Sequence, residues 1–278
     1  MSVIKSDCLC QKNSLFQPKI VYENETVFRN FNSVTIGRCI NCGLLKTVLQ
    51  PKNKFNPQTT HADFYEEKHF LFVSLLQPIV DQIKKYKKTG LVLDVGCSSG
   101  ILLELLKKEG FDIYGIEPNK KAFLISQKKF GGKIFNGYLS EYIKKKPRGF
   151  DVIIYNHVLE HIDKVVEEIN LIKKVLKPGG LLVIGVPNIN NIIFFLRQKY
   201  WEYLVALEHI WHFSKKYLVN FLNKKGFNVS EVSFSNDRRP DYPILKRGYF
   251  YFLSIINKLF NTGELMLIVA QLKYDKHD

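Results

Sequence analysis

The sequence predicts an α/β fold in which helices cover both faces of a mostly parallel sheet, preceded by a small N-terminal module. After Gly90, short apolar runs alternate with stretches of helical spacing, and a glycine-rich turn at 96–100 joins the first run to the first helix. The N-terminus differs from the rest, because four of the five cysteines lie in the first 42 residues. We assign 1–60 to the module, 61–88 to linking helices and 89–278 to the α/β domain.

The strands of the α/β domain are predicted from apolar runs bounded by turn residues. They are expected at 91–95, 111–117, 133–138, 150–156, 181–186, 227–235 and 264–273. A helix is expected at 214–225, with Ser214 as its N-cap and Gly226 as its end. Two stretches, 189–210 and 236–261, interrupt the alternation and are interpreted as insertions.

Composition limits the class of protein. With 278 residues, 46% of them apolar, the chain can bury the core of one α/β domain and a small appendage. The first residues lack the apolar run of a secretory signal, and no apolar stretch is long enough to span a membrane, so we expect a cytoplasmic protein. The formal charge of +15 comes mainly from lysines. We interpret these as solvated surface and do not expect nucleic acid as a partner.

The turn after the first strand carries the clearest chemical signal. Asp94 stands two residues before Gly96, and Gly100 opens the following helix, where glycines let a ligand approach the backbone. The spacing Gly96-x-x-x-Gly100 differs from the G-x-G-x-x-G of a dinucleotide-binding loop. The Gly-Lys-Ser/Thr of a phosphate-binding loop is also absent from this turn. Glu117 ends the second strand, where an acid can accept hydrogen bonds from ribose hydroxyls. The pattern predicts a nucleoside ligand without a phosphate.

Four segments, taken together, resemble the motifs of class I S-adenosylmethionine-dependent methyltransferases of the small-molecule branch. They are 91–100 (LVLDVGCSSG), 114–118 (YGIEP), 150–162 (FDVIIYNHVLEHI) and 175–188 (VLKPGGLLVIGVPN). The resemblance covers about residues 64–273. It implies S-adenosylmethionine as the cofactor. It also implies a Rossmann-like, seven-stranded, mostly parallel sheet with the last strand antiparallel and helices on both faces.

The resemblance assigns cofactor contacts to individual residues of the first two motifs. Gly96, Cys97 and Gly100 are expected to flank the methionine part of the cofactor. Asp94 is expected to reach that part directly or through water, and Glu117 to hold both ribose hydroxyls. We interpret Cys97 as a small packed residue without reactivity of its own, since methyl transfer needs no covalent enzyme intermediate.

Two further segments are expected at the adenine and near the methyl group. Many relatives place an acid after the third strand, but here Tyr138 and Leu139 occupy the region and are expected to pack on the adenine ring instead. Asn156 and His157 begin the loop that the resemblance places over the cofactor, next to the acceptor.

The N-terminal cysteines predict a structural zinc site. Cys39 and Cys42 have the C-x-x-C spacing of a zinc knuckle, and Cys8 and Cys10 form an earlier pair. Asp7 is the alternative to Cys8, because the regular spacing from Cys10 falls on it. A set of unpaired, reduced thiols is the alternative to a metal site. The pattern resembles, more loosely, the zinc-ribbon module of sugar C-methyltransferases and their relatives.

Candidate catalytic residues come from the same resemblance. In sugar C-methyltransferases a Glu-His pair serves proton transfer, and Glu208 with His209 stands at the corresponding place here, so we expect His209 to act as the base. A structural turn is the alternative interpretation of this pair. His161 is the next candidate, with loop positioning as its alternative role. Tyr65 is expected to approach from the N-terminal side.

Apolar and aromatic residues fill 189–205 and 245–260, with basic residues among them. Three interpretations remain open for these stretches. They form a lid over an apolar acceptor, an interfacial segment that gives the protein a peripheral membrane contact, or ordinary packing against the sheet.

The expected function is methyl transfer from S-adenosylmethionine to an O, N or C nucleophile of a small-molecule acceptor, such as a sugar, a glycan or a lipid-linked intermediate. One alternative is a non-catalytic regulatory protein that binds the cofactor. Another is an RNA methyltransferase, which charge and zinc favour but which the absence of an Asn/Asp-Pro-Pro-Tyr loop opposes.

Overall fold

The computed structural model describes residues 3–23, 33–49, 62–145, 149–236 and 242–273. In these ranges the strands are β1 (Ile4–Ser6), β2 (Ser14–Glu23), β3 (Ser33–Cys39), β4 (Leu45–Leu49), β5 (Leu91–Val95), β6 (Asp112–Ile116), β7 (Ile134–Phe135), β8 (Phe150–Asn156), β9 (Leu176–Pro187), β10 (Trp211–His212), β11 (Phe227–Ser235) and β12 (Leu265–Leu272). The helices are α1 (Ala62–Glu67), α2 (His69–Tyr86), α3 (Ile101–Lys108), α4 (Lys120–Phe130), α5 (Leu139–Lys145), α6 (Val165–Val175), α7 (Ile192–Arg197), α8 (Lys215–Lys224) and α9 (Ile244–Leu259). The predicted boundary at 60–61 lies outside the described residues.

The larger sheet has seven strands in the order β11-β12-β9-β8-β5-β6-β7. The pairs β5–β6, β5–β8, β6–β7 and β8–β9 are parallel, whereas β12 runs antiparallel to both β9 and β11. The predicted seven-stranded, mostly parallel sheet with an antiparallel last strand is therefore confirmed. Because β5 lies between β6 and β8, the strand order reverses beside β5, where doubly wound sheets bind ligands.

Side-chain alternation on the central strands explains why helices cover both faces. On β8, Ile153 and Tyr155 belong to one core cluster, while Val152 and Ile154 belong to another on the opposite face. Helices α6 and α8 contribute buried residues to the first cluster, and α2 and α3 to the second. A parallel strand that is buried on both faces has apolar residues at nearly every position, and the sequences of these strands show this pattern.

Two strands differ from the predicted bounds by more than one residue at an end. β7 has only two residues, and Gly137, inside the predicted strand, has a φ of +149°, which is not a strand conformation. β9 begins at Leu176 rather than at 181. There, Phe150 pairs with Leu176 and Val152 with Leu181, so residues 177–180 form an irregular stretch inside the strand instead of a break before it. Helix α8 matches its prediction, with the Ser214 side chain accepting a hydrogen bond from the Tyr217 N–H.

The smaller sheet joins the N-terminal module to the first insertion. Its strand order is β1-β2-β3-β4-β10, so β10, which comes directly after the stretch 189–210, completes a sheet that the module begins. Trp211 pairs with Lys46 and His212 with Leu45, in antiparallel register. No sequence pattern predicted this pairing, because β10 has only two residues.

The insertions also pack against the module. Residues of β2 and β3, of the first insertion and of α9 form a third core cluster, which includes Ile36, Ile193, Trp201, Phe250 and Leu253. Packing thus accounts for one side of the apolar insertions, as one of the three interpretations expected. No helix within the described residues is both long and apolar enough to cross a membrane.

Candidate active site

The first motif forms a tight turn between β5 and α3. Gly96 and Gly100 have φ angles of +77° and +85°, which side chains disfavour. A Cβ at Gly96 would lie 2.5 Å from Val158, and one at Gly100 would lie 2.6 Å from the Phe130 ring. Both positions therefore require glycine, for conformation and for space.

Glu117 ties the loops after the two strands together. Its side chain is buried, and its two carboxylate oxygens accept hydrogen bonds from the backbone N–H groups of Ser98 (2.8 Å) and Asn119 (2.7 Å). Burial raises the pKa of this carboxyl, although the two N–H groups act against the rise. The acid thus stands fixed between both loops, at the place where the resemblance puts the ribose.

Asp94 adds a second acid to this part of the site. Burial first, and the nearby charge of Glu117 second, raise the pKa of Asp94 to about 8. Neither carboxylate is ion-paired within the ranges given above. Two buried acids without a cationic partner favour a positively charged ligand, and S-adenosylmethionine carries both a sulfonium and an ammonium group.

The remaining residues predicted for the cofactor lie in different surroundings. The Cys97 thiol is buried, and a Cβ at Gly115 would lie 2.7 Å from its sulfur, which fits a small packed residue. Leu139 is buried in the sheet core at the start of α5, whereas Tyr138 is 56% exposed. Neither lines the cleft, so their contact with the adenine ring stays a prediction.

The end of β8 brings a histidine to the same edge. The Asn156 amide oxygen lies where a side chain at Gly185 would stand, since a Cβ there would be 2.2 Å from it. His157 follows with a φ of +55°, and its backbone N–H donates to the Gly185 carbonyl over 2.8 Å. The His157 Nδ1 then lies 3.5 Å from a carboxylate oxygen of Glu160.

Glu160 is the centre of a group of imidazoles. It lies on a short 3-10 turn, Leu159–His161, and its side chain is 1% exposed. Neither carboxylate oxygen has a hydrogen-bond partner among the described residues, and Oε1 lies 3.9 Å from the His209 Nε2. Burial alone would raise the pKa of Glu160, but His157, His209 and His161 lower it to about 2. The residue is therefore a buried anion at neutral pH.

His209 and His161 lie edge to face, with ring centroids 4.7 Å apart. Burial lowers the pKa of His209 to about 4, against the opposing effect of Glu160, so the ring is neutral at pH 7. The His161 Nδ1 donates a hydrogen bond to the Glu208 carbonyl oxygen over 3.0 Å. In the neutral ring this bond requires the hydrogen on Nδ1, so the lone pair is on Nε2.

The carboxylate that faces His209 is thus Glu160, and not Glu208 as their adjacency in sequence suggested. Glu208 contributes its backbone carbonyl to His161 instead. The chain turns at this point, since the N–H groups of Glu208 and His209 both donate to the Val205 carbonyl over 2.9 Å. Adjacency in sequence therefore does not make the two side chains partners. The signal for Glu160 was present in the fourth-strand motif, where it stands three residues after His157 and one before His161.

The N-terminal module holds the histidine segment in place. The Thr47 hydroxyl donates to the His209 carbonyl over 2.8 Å and accepts from the His212 Nε2 over 3.0 Å. The Thr47 N–H donates to the Ile210 carbonyl, and the Ile210 N–H donates to the carbonyl of Glu160, each over 2.9 Å. The segment is therefore fixed between β4 on one side and the turn of Glu160 on the other.

Both halves face one open cleft of about 2290 Å³. Its polar lining from the predicted residues comprises Asp94, Asn156, His157, His161, Glu208 and His209. Aromatic and aliphatic side chains of α2 and α9 form much of the remaining wall. The Tyr65 side chain lies outside the described residues, so its predicted approach stays a prediction.

The four N-terminal cysteines come together as predicted. The sulfurs of Cys8 and Cys42 are 3.6 Å apart, those of Cys10 and Cys39 are 3.7 Å apart, and all four lie within 4.8 Å of one another without a disulfide. Tetrahedral zinc with bonds of about 2.3 Å needs sulfurs about 3.8 Å apart, so the cluster fits a structural zinc ion.

The alternative ligand has another partner. The Asp7 carboxylate accepts a hydrogen bond from the Asn13 N–H at 2.9 Å, which favours Cys8 in the metal site. A second group of ligand atoms, from Glu160, His161 and His209, also lies within 4.8 Å and is close enough to hold a divalent ion.

Comparisons with known proteins agree with this geometry. Residues 65–232 match a family model described as a methyltransferase domain. The ubiquinone biosynthesis O-methyltransferase of rat mitochondria is 27% identical over 158 residues, which are 51% of this chain and 45% of that protein. The enzyme of the same name from Aliivibrio fischeri is 30% identical over 104 residues, 36% of this chain and 44% of that protein. The matches thus span less than half the length of these relatives.

Solved structures share the fold. An S-adenosylmethionine-dependent methyltransferase from Archaeoglobus fulgidus superposes with a TM-score of 0.54 at 22% identity, covering 73% of this chain and 99% of that one. The 1,6-didemethyltoxoflavin-N1-methyltransferase of Burkholderia thailandensis, solved with S-adenosylhomocysteine, gives 0.51 at 13% identity, covering 84% and 98%. Because the family model matches more than half of the chain, this protein belongs to the methyltransferase family that the model describes.

Proposed function

We propose that the protein transfers a methyl group from S-adenosylmethionine to a hydroxyl group of a small-molecule acceptor that binds between the motif turn and the imidazoles around Glu160. One observation carries the proposal: the imidazoles line the same cleft as the glycine turn. The relatives named as O-methyltransferases support an oxygen acceptor over nitrogen or carbon.

The wall of the cleft favours an acceptor with an apolar part. Phe72, Leu75, Phe250, Tyr251 and Ile255 line it, opposite the polar groups of the strand ends. A free sugar would leave these side chains without apolar contacts, whereas an acceptor with a hydrocarbon portion would cover them. Of the acceptor classes expected from the sequence, the lipid-linked one therefore has the better support.

Bound S-adenosylmethionine would supply the electrophilic methyl group, held at its ribose by Glu117 and near its methionine part by Asp94. The residues of this chain position the acceptor, exclude water and remove the hydroxyl proton. His209 is the proposed base: it is neutral at pH 7, and the Glu160 anion, 3.9 Å away, would stabilise the imidazolium that forms. Glu160 acts through the imidazoles and is a positioning residue.

His161 is a second candidate for the base, favoured by a different observation. It is more exposed than His209, and its bond to the Glu208 carbonyl leaves the Nε2 lone pair available. In that case His209, with only 6% of its surface exposed, would position His161 through the edge-to-face contact.

Single variants separate the two candidates. His209→Asn and His161→Asn are assayed with radiolabelled S-adenosylmethionine against a panel of hydroxylated apolar acceptors, with Glu208→Gln as a matched control. Loss of the base lowers turnover by about 10²–10⁴ while the affinity for S-adenosylhomocysteine stays within twofold or so. Replacement of the other histidine has the smaller effect, and the control has little. Metal analysis of Cys39→Ser with Cys42→Ser tests whether the Glu160 group holds a metal, because the cysteine site is then lost and any remaining bound ion belongs elsewhere.

Wild-type protein that binds S-adenosylhomocysteine but methylates no acceptor would contradict the proposal and favour a regulatory role. Turnover that neither histidine variant reduces would instead refute the assignment of the base.

A further inference from the structure

Helix α9 is apolar on two opposite faces. Phe250, Leu253 and Asn257, spaced three and four residues apart, are buried against the first insertion and the module. Leu245, Phe252, Ile255 and Leu259 recur at the same kind of spacing on the other side. These outer side chains are exposed, Leu245 to 91% and Leu259 to 78%. The helix therefore presents an apolar stripe to its surroundings, although its inner face is already packed.

The first insertion extends the same surface. The Asn257 side chain accepts a hydrogen bond from the Ile192 N–H over 2.9 Å, and the Arg197 guanidinium lies 5.3 Å from the centre of the Phe250 ring, so α7 and α9 are held together. On α7 and the turn after it, Phe195, Leu196 and Tyr200 are exposed. We call this outer face of α7 and α9 the apolar platform. Such a large exposed apolar area on a chain of this size indicates a binding surface.

The α9 part of the platform carries positive charge. Lys246, Arg247 and Lys258 lie on α9, and 244–261 contains no Asp or Glu, whereas Arg197 of α7 is ion-paired with Glu202 over 3.0 Å. Arg247 and Lys258 are exposed, and neither is ion-paired in the part of the chain that the structure describes. Aromatic and aliphatic side chains flanked by cations match the boundary between lipid tails and anionic headgroups.

We propose that the apolar platform lies on the surface of an anionic lipid membrane. Charge decides against a second copy of the chain, because two platforms facing each other would bring the cations of both α9 helices together, on molecules that each carry a formal charge of +15. A membrane offers anionic headgroups at the level of the lysines and acyl chains beneath them. The contact is peripheral, since α9 is too short to span a bilayer.

The platform also borders the cleft. Tyr251 and Ile255, which are exposed on α9, line the cleft together with Arg247 and Lys258. A membrane on the platform would therefore lie beside the mouth of the cleft, and a molecule held in the leaflet that contacts the platform would reach it without crossing water. The membrane contact itself does not depend on the proposed reaction, so it is tested without an acceptor.

Vesicle flotation with the full chain tests the proposal. Vesicles of phosphatidylcholine alone are compared with vesicles in which about a third of the lipid is phosphatidylglycerol, a fraction chosen to give a clearly negative surface. We expect the wild type to float with the anionic vesicles, and to float less as the salt concentration rises and screens the headgroups.

Two variants of equal net charge separate the platform from general surface charge. Leu245→Glu with Phe252→Glu and Leu259→Glu adds three negative charges to the platform, and it should lower the bound fraction by about 100-fold, since three apolar side chains no longer enter the interface. The control, Leu124→Glu with Lys128→Glu, makes the same change in charge on exposed positions of α4 and should bind as the wild type does. Binding of S-adenosylhomocysteine checks that both variants are folded.

Replacing Lys246, Arg247 and Lys258 by Gln should remove the preference for anionic vesicles. Several results would overturn the proposal: no flotation of the wild type with either vesicle, equal flotation of the platform variant and the wild type, or a wild-type dimer that the platform variant dissociates. The last result would assign the platform to a second copy of the chain.

Discussion

The two halves of the cleft are built in different ways. The cofactor half consists of the loops that follow neighbouring parallel strands: the glycine turn after β5, Glu117 after β6 and Asn156 after β8. The acceptor half combines the turn of Glu160, the segment of His209 and a strand of the N-terminal module, which are far apart in the sequence. A single short strand, β10, joins the last two parts.

This difference indicates that the halves can fail separately. The cofactor half depends on local backbone geometry and on hydrogen bonds within two adjacent loops. The acceptor half depends on the small sheet, because Thr47 and Ile210 connect the module to the histidine segment. We therefore expect changes in one half to alter cofactor affinity and changes in the other to alter turnover.

The largest difference between the effects on the two halves is expected from Glu117→Ala. It removes a buried carboxylate that holds two loops and, as proposed, two ribose hydroxyls, so cofactor binding should weaken by about 2–4 kcal/mol. Isothermal calorimetry with S-adenosylhomocysteine measures the loss. The small sheet and its metal content should not change, and a variant that binds as tightly as the wild type would show that the cofactor site is elsewhere.

Removal of the predicted zinc should act on the other half. Cys39→Ser with Cys42→Ser leaves too few thiolates for a tetrahedral site, so metal analysis should fall from one zinc per chain to none. Because β4 of the same module pairs with β10, turnover should drop by about tenfold or more, as expected when a general base is misplaced. Cofactor affinity should change little. If the wild-type protein contained no zinc after purification and were fully active, the metal site would be refuted.

The pKa of Asp94 predicts a pH dependence confined to the cofactor half. A cationic ligand favours the ionised form, so binding should release a proton below pH 8, the approximate pKa of Asp94, and affinity should rise by up to about tenfold per pH unit as the pH approaches that value. Calorimetry in buffers of different ionisation enthalpy measures the proton release. Asp94→Asn should abolish both effects, and a pH-independent wild type would contradict the assignment.

The stability of the ligand-free protein should change with pH in the opposite direction: it should fall as the pH rises. The pKa of Asp94 is raised on folding, from an ordinary value of 3.8 to about 8, so its contribution to stability is fully present below pH 3.8, falls as the pH rises from there, and is lost once the pH passes 8. Asp94→Asn should therefore unfold at a higher denaturant concentration than the wild type at pH 8.5, and this difference should shrink as the pH is lowered. Equal midpoints at pH 8.5 would show that the acid is better solvated than its burial indicates.

The smallest expected effect is that of Thr47→Val. The hydroxyl bridges the His209 carbonyl and His212, so its loss leaves two buried polar groups without that partner and should cost about 1–3 kcal/mol of unfolding free energy. Turnover should fall several-fold through a displaced histidine segment, whereas cofactor affinity should stay constant. Thr35→Val, at another buried threonine of the same small sheet, serves as the control.

Sequence reasoning was most successful where a pattern is local. The strands β5, β8 and β11 begin and end at the predicted residues, because turn residues bound their apolar runs. It was less successful at Pro178–Gly180, where turn-type residues form an irregular stretch of strand, since pairing with β8 outweighs their local preference. Leu139 is buried in the core at the start of α5, and its contact with the adenine ring stays a prediction.

The sequence by itself determined the seven-stranded sheet, the glycine turn, the acids Asp94 and Glu117 and the four clustered cysteines, because each depends on residues close together in the chain or on a motif with fixed spacing. Only the tertiary structure decided that Glu160 faces His209, that β10 completes the module's sheet and that α9 keeps an exposed apolar face. These features depend on contacts between segments that are distant in the chain: Glu160 and His209 are separated by 49 positions (209 − 160), and Thr47 and His209 by 162. No local preference encodes which distant partner a short segment meets, since that follows from how the whole chain packs.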